Sequence, residues 1–139
     1  MESHRFLDAN RPLWNIVNAL FREHFPELVP LYEKVEFPAN HPLGLFALAV
    51  VNLDMIAGKH HDRHDPSFGV TACIRFGDSD ESGGDFGLSE HRILAKTAPG
   101  DLLFFNSRRD EHYVTPMPGV RNSLLLFTHE AVFKYYGVQ

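Results

Sequence analysis

The sequence predicts a single, mainly β domain with helices at its N-terminus, and three observations carry that expectation. Helical periodicity is confined to residues 12–34 of the 139-residue chain. From Phe46 onward, short apolar or alternating runs follow one another, joined by turns rich in Gly and Pro. Strands at such close spacing suggest a sandwich or open barrel. The composition, 44% hydrophobic and 22% charged, suits an ordinary soluble globule with one core.

In chain order, residues 1–11 are polar and expected to be poorly tied down. Pro12 is placed to open a helix. Leu13, Ile16, Val17 and Leu20 then recur at i, i+3, i+4 and i+7, an amphipathic pattern that should stop near Phe25, before Pro26. A second short helix is expected between Pro26 and Lys34, with Pro30 inside it. The β core is expected over residues 45–133. Phe46 to Leu53 is apolar at both parities, as in a strand covered on both faces. Phe68, Val70, Ala72, Ile74 and Phe76 alternate with Ser67, Gly69, Thr71, Cys73 and Arg75, which is strand periodicity. Gly77-Asp78 through Gly83-Gly84 reads as a turn-rich connection. Short strands follow over Asp85 to Leu88, Arg92 to Lys96 and Leu102 to Phe105, and Arg121 to Thr128 is the last. The N-terminal helix should pack on the outside of the sheet.

Several function classes are disfavoured. No apolar run reaches the ~18 residues that suggest a membrane span. The polar N-terminus does not read as a secretory signal. One cysteine, Cys73, cannot form an intrachain disulfide, which favours a reducing, intracellular setting. A formal charge of −5 argues against broad polyanion binding. It leaves room for a local basic rim, for which Lys59, Arg63, Arg108 and Arg109 are candidates; solvated loop cations are the plainer reading.

The chemistry is concentrated in a few residues. His60 and Asp62 are two apart, so in extended backbone they face one side and can converge on one metal. His112, from another strand, would complete two imidazoles and one carboxylate, the facial triad of non-haem Fe(II) oxygenases. Zinc accepts the same donors. Arg121 lies nine residues beyond His112, in parity with Ser123, Leu125 and Phe127 on the last strand. A buried arginine needs an anion. A metal-chelating dicarboxylate would supply one through paired N–H to O bonds; Asp101 or Glu111 is the structural alternative. His61, His64 and Asp65 are expected in an exposed polar loop, and His91 and His129 at the surface or behind the ligands.

Gly100-Asp101-Leu102-Leu103-Phe104-Phe105, His112, and Gly119-Val120-Arg121-Asn122-Ser123-Leu124 together resemble the C-terminal half of a 2-oxoglutarate/Fe(II)-dependent dioxygenase. The pattern is most similar to the fungal TET/JBP-like group, and the resemblance runs from Trp14 to Tyr136. It includes Phe25-Pro26-Glu27-Leu28, Ala49-Val50-Val51-Asn52, His60-x-Asp62-x-x-Asp65, Phe76-Gly77-Asp78, Gly83-Gly84, Phe127-Thr128 and Phe133-Lys134-Tyr135-Tyr136. The resemblance implies a double-stranded β-helix, or jelly-roll, oxygenase core. It implies Fe(II) held by His60, Asp62 and His112, with 2-oxoglutarate held by Arg121 and Ser123 and O2 as co-substrate. The implied reaction oxidises a C–H bond, that of a pyrimidine methyl such as 5-methylcytosine in DNA. A DNA substrate would place the protein in the nucleus and would have to be extruded from the duplex. Tyr113 and Phe86 are the candidates to stack on the extruded base. A hydroxylase of a protein side chain or small molecule is the alternative, and a non-catalytic metal-binding β-barrel the third reading.

Overall fold

The computed structural model describes residues 2–77 and 82–139. Asp78 to Glu81, part of the turn expected after Gly77, lies outside the described residues.

Four helices and seven strands follow one another: α1 (Glu2–Ala9), α2 (Arg11–His24), α3 (Val29–Tyr32), β1 (Leu48–Asn52), β2 (Thr71–Phe76), β3 (Phe86–Leu88), β4 (Ile93–Ala95), β5 (Leu102–Phe105), β6 (His112–Val114), β7 (Asn122–Phe127) and α4 (Glu130–Tyr135). The strands form a four-stranded sheet, β1-β7-β2-β5, and a three-stranded sheet, β4-β3-β6. All the pairings are antiparallel. The mainly β expectation holds, and no described helix is long and apolar enough to cross a membrane.

The register of the central pair divides the large sheet into two faces. Ala72 opposes Leu126, Cys73 opposes Leu125, Ile74 opposes Leu124 and Arg75 opposes Ser123. Successive side chains in a strand point to opposite faces. Ala72, Ile74, Leu124 and Leu126 therefore join Trp14, Val17 and Phe21 of α2 in the main core. Cys73, Leu125 and Phe105 meet Phe86 of the small sheet in a second cluster. The candidate site residues line a cavity on this second face.

Helix α2 forms where the periodicity predicts it, with Pro12 in its first turn. Its buried stripe is different: Trp14, Val17 and Phe21 are inside, whereas Ile16 is 57% exposed. Aromatic rings remove the most apolar area from water, so Trp14 and Phe21 set which side turns inward. The Phe21 ring lies 4.8 Å from Tyr32 and 5.3 Å from Phe46, centroid to centroid.

Three expectations are corrected. Residues 2–11 are not loose: α1 is helical, Leu7 packs on the core, and the Leu7 carbonyl accepts Trp14 Nε1–H at 2.8 Å. Strand β1 is not covered on both faces. It is an edge strand paired only with β7, and Leu48, Val50 and Val51 are exposed. The β core ends at Phe127 rather than residue 133, because Glu130–Tyr135 turns helical and buries Phe133 against Tyr32 and Phe68.

Candidate metal centre and the pockets beside it

His60, Asp62 and His112 each offer a ligand atom, and these atoms lie within 4.8 Å of one another. Backbone pairing brings them together. His60 and His112 form an antiparallel bridge, each N–H donating to the other's carbonyl at 3.0 Å. Their rings sit 4.2 Å apart. The N–H of Asp62 is tied to the Ser107 carbonyl at 2.9 Å. Asp62 Oδ1 is 3.6 Å from His60 Nε2, and Oδ2 is 3.4 Å from His112 Nε2.

The imidazoles are held in the tautomer a metal needs. His60 Nδ1 lies 2.7 Å from the Gly58 carbonyl, and His112 Nδ1 lies 2.9 Å from that of Asp110. A carbonyl only accepts, so each Nδ1 carries the proton and each Nε2 is left facing Asp62, the atom that would ligate a metal; without one, a protonated His112 Nε2 donates to the Asp62 carboxylate. Burial by itself would lower the His112 pKa, but the Asp62 hydrogen bond overrides it and the value is raised. Burial would likewise raise Asp62, yet the hydrogen bond from His112 and the histidine charges hold it below the ordinary carboxylate value. Two imidazoles around an anionic carboxylate make a donor set that fits a divalent ion such as Fe(II) or Zn(II).

These ligands line a cavity of about 230 Å³, whose other wall carries Arg121, Ser123 and Cys73. Arg121 is only 3% exposed. Its Nε donates to the Gly84 carbonyl at 2.8 Å. Burial depresses its pKa, partly offset by Cys73, and Arg75 depresses it further. The acidic residue acting on it is Asp85, rather than Asp101 or Glu111. Ser123 Oγ accepts from Asn52 Nδ2 at 3.4 Å across the β1–β7 pair. The cavity thus has a carboxylate-and-imidazole end and a guanidinium end.

Two features of this site are hard to see in the sequence. Arg75 is buried on β2, and its Nη1 donates to the Gly83 carbonyl at 3.0 Å and to the Thr97 carbonyl. Two guanidiniums therefore grip consecutive carbonyls of Gly83-Gly84. Gly84 has φ +65°, and a Cβ there would meet Met117 Sδ at 2.7 Å and Arg121 Cδ at 3.1 Å. Only glycine lets this backbone approach so closely. A lone Arg within the apolar run Thr71–Phe76 was the available signal for Arg75.

The second feature is Asp65. Expected in an exposed loop, it is 5% exposed. Its Oδ2 accepts from Ser107 Oγ at 2.5 Å and Thr71 Oγ1 at 3.4 Å, and its Oδ1 from His129 Nδ1 at 3.0 Å. Its N–H donates to the Asp62 carbonyl at 3.1 Å, so this buried carboxylate anchors the turn that presents Asp62. A larger hollow, about 400 Å³, opens here. It shares Asp62 and Leu125 with the metal cavity and is walled by Phe127, His129, Asp65 and Val50. His129 thus lines a pocket. His61 and the exposed His64 border the same hollow, while His91 pairs with Asp110 at the surface.

The aromatic and basic candidates are redistributed. Phe86 packs on Phe105 and His112 in the floor of the metal cavity. The Tyr113 ring lies over Gly87, where a Cβ would come within 2.1 Å of it. Neither borders the larger hollow; Phe127 and His129 do. Lys59 Nζ sits 5.7 Å above the Tyr113 ring. Arg108 is a loop staple, its Nη1 donating to the carbonyls of Arg63 and Asp65. Arg63 and Arg109 are exposed.

No protein-family model and no curated protein matches the sequence. Among solved structures, NgTET1 in complex with 5mC DNA matches with a TM-score of 0.79 at 18% identity, covering 89% of this chain. The chain spans about half the length of that protein, 50% of it being covered. At such low identity the likeness is one of fold: this chain shares the architecture of NgTET1.

Proposed function

We propose that the chain is an Fe(II)/2-oxoglutarate-dependent dioxygenase with a jelly-roll core that oxidises the methyl group of 5-methylcytosine, or another modified pyrimidine, in DNA. One observation carries the reading: His60, Asp62 and His112 converge at one end of a cavity whose other end is the buried guanidinium of Arg121. A dicarboxylate that chelates the metal would satisfy that guanidinium. The fold shared with NgTET1, a structure that holds 5mC DNA, supports the choice of substrate.

Under this reading, His60, Asp62 and His112 hold iron, and iron there supplies oxygen activation coupled to decarboxylation of 2-oxoglutarate. Arg121 binds the far carboxylate of 2-oxoglutarate by charge-assisted hydrogen bonds, with Ser123 beside it. Phe86, Phe105 and Leu125 keep the cavity floor apolar and exclude water. The 400 Å³ hollow receives the base, because it adjoins Asp62 and is walled by the Phe127 and His129 rings. His129 Nδ1–H is committed to Asp65, so its Nε2 is the atom left to accept a hydrogen bond from the substrate. A DNA substrate would make the protein nuclear.

The test is incubation with Fe(II), 2-oxoglutarate and methylated DNA, followed by mass spectrometry of the nucleosides and assay of succinate. Oxidised 5-methylcytosine with matching succinate is the expected result. Succinate formed only with a peptide or small molecule would replace DNA with that substrate. Zinc retention with no succinate under any condition would sink the oxygenase reading.

A further inference from the structure

A third hollow, about 220 Å³, continues from the second. It is lined by Arg63, His64, His129, Glu130, Ala131 and Lys134, and shares the first three with the 400 Å³ hollow. The second hollow therefore adjoins the metal cavity at Asp62 and the third hollow at His129. We propose that the third hollow is a phosphate subsite, which seats the phosphodiester flanking the base held in the second. This rests on the nucleic-acid reading above and assigns it a place the basic residues near the ligands do not reveal.

The charges favour an anion there although the chain as a whole carries −5. Arg63 and Lys134 bring two basic side chains to the lining. The one carboxylate in the lining, Glu130, pairs with Lys134 at 2.9 Å, and this hydrogen bond holds its pKa below the ordinary value, so it stays anionic and offsets one of the two cations, which leaves the lining with a net positive charge. Asp65, the next acidic group, is turned away: it is buried and its oxygens are engaged by Ser107, Thr71 and His129.

The backbone beneath the cations is already fixed. Arg108 clasps the carbonyls of Arg63 and Asp65, and the Glu130 N–H donates to the His64 carbonyl at 2.8 Å. Little ordering is then needed when a phosphate arrives, which is where preorganised sites gain affinity. Arg108, spent on this brace, is not a phosphate ligand. Arg109 is exposed and outside this lining. Phosphate contacts set register and orientation rather than sequence, and here they would set how deep the base reaches toward the metal.

The experiment measures anisotropy of a labelled single-stranded oligonucleotide containing one 5-methylcytosine, titrated with the Mn(II)-loaded full chain at several salt concentrations. 5-Methyl-dCMP competes in a parallel arm. Arg63→Ala and Lys134→Ala should each weaken binding about 5- to 10-fold and lower the salt slope by roughly one. Lys134→Arg should restore affinity, and Arg109→Ala should behave as wild type. Melting temperatures should be unchanged. Competition by 5-methyl-dCMP that depends on Lys134, with no oligonucleotide binding, would keep the subsite and name a free nucleotide as its phosphate source. Salt-dependent oligonucleotide binding that both alanine variants retain in full would overturn the subsite alone. Wild-type protein that binds neither probe would overturn the nucleic-acid reading and the subsite with it.

Discussion

The two faces of the β2–β7 pair are built from alternate residues of the same strands, yet they do different work. One face presents Ala72, Ile74, Leu124 and Leu126 to the aromatic layer of α2, where Phe21 contacts Tyr32, Phe46 and Phe104. The other presents Thr71, Cys73, Arg75 and Ser123 to the pockets and their supports. The first face is held by area removed from water. The second buries polar groups whose hydrogen bonds and charges must be answered individually. Stability and chemistry are thus separated by a single residue of register, and a one-residue slip would exchange them.

Four sets of substitutions test that separation, beginning with the largest effect on folding. Phe21→Ala should cost about 3–5 kcal/mol in denaturant unfolding, because it empties a fully enclosed aromatic position. Ser123→Ala, equally buried on the opposite face, should cost about 1 kcal/mol, the worth of one hydrogen bond. Equal costs would show that the two faces are not distinct in kind.

Asp62→Ala should leave folding nearly intact and weaken Mn(II) binding by more than about 100-fold, beyond the loss caused by removing an outer-shell partner. His60→Ala and His112→Ala should behave alike, while His64→Ala should keep the metal. Occupancy lost in the His64 variant and kept in the His60 variant would redraw the ligand set.

Arg121→Ala should raise the 2-oxoglutarate concentration needed for half-saturation about 100-fold, with Mn(II) affinity held. Two charge-assisted hydrogen bonds of ordinary strength account for that factor. Unchanged 2-oxoglutarate affinity would remove Arg121 from the site.

Gly84→Ala should cost about 1–2 kcal/mol in folding, for a side chain in the left-handed region. Its added Cβ crowds Arg121 Cδ, so 2-oxoglutarate binding should weaken as well. Calorimetry of the Mn(II)-loaded variant would separate the two losses. Destabilisation with full 2-oxoglutarate affinity would mean that the Gly83-Gly84 clamp serves the fold only.

By itself, the sequence determined what local pattern can carry. Alternation marked β2 and β7, Pro12 and the following apolar spacing marked α2, and His60-x-Asp62, His112 and Arg121 marked the residues that the fold brings to one cavity. These are statements about spacing along one strand or helix, where geometry is short-range. Tertiary structure decided the rest. The choice of Trp14, Val17 and Phe21 over Ile16 as the inward side of α2 depended on which rings met Tyr32 and Phe46. Strand β1 became an edge because, among the described residues, it pairs with β7 on one side and with no strand on the other. Asp65 went from loop residue to buried anchor because Ser107 and His129, both distant in sequence, converge on it together with Thr71. Arg108 changed from free cation to brace for the same reason. Burial of a polar group depends on partners elsewhere in the chain, and only the folded arrangement supplies them.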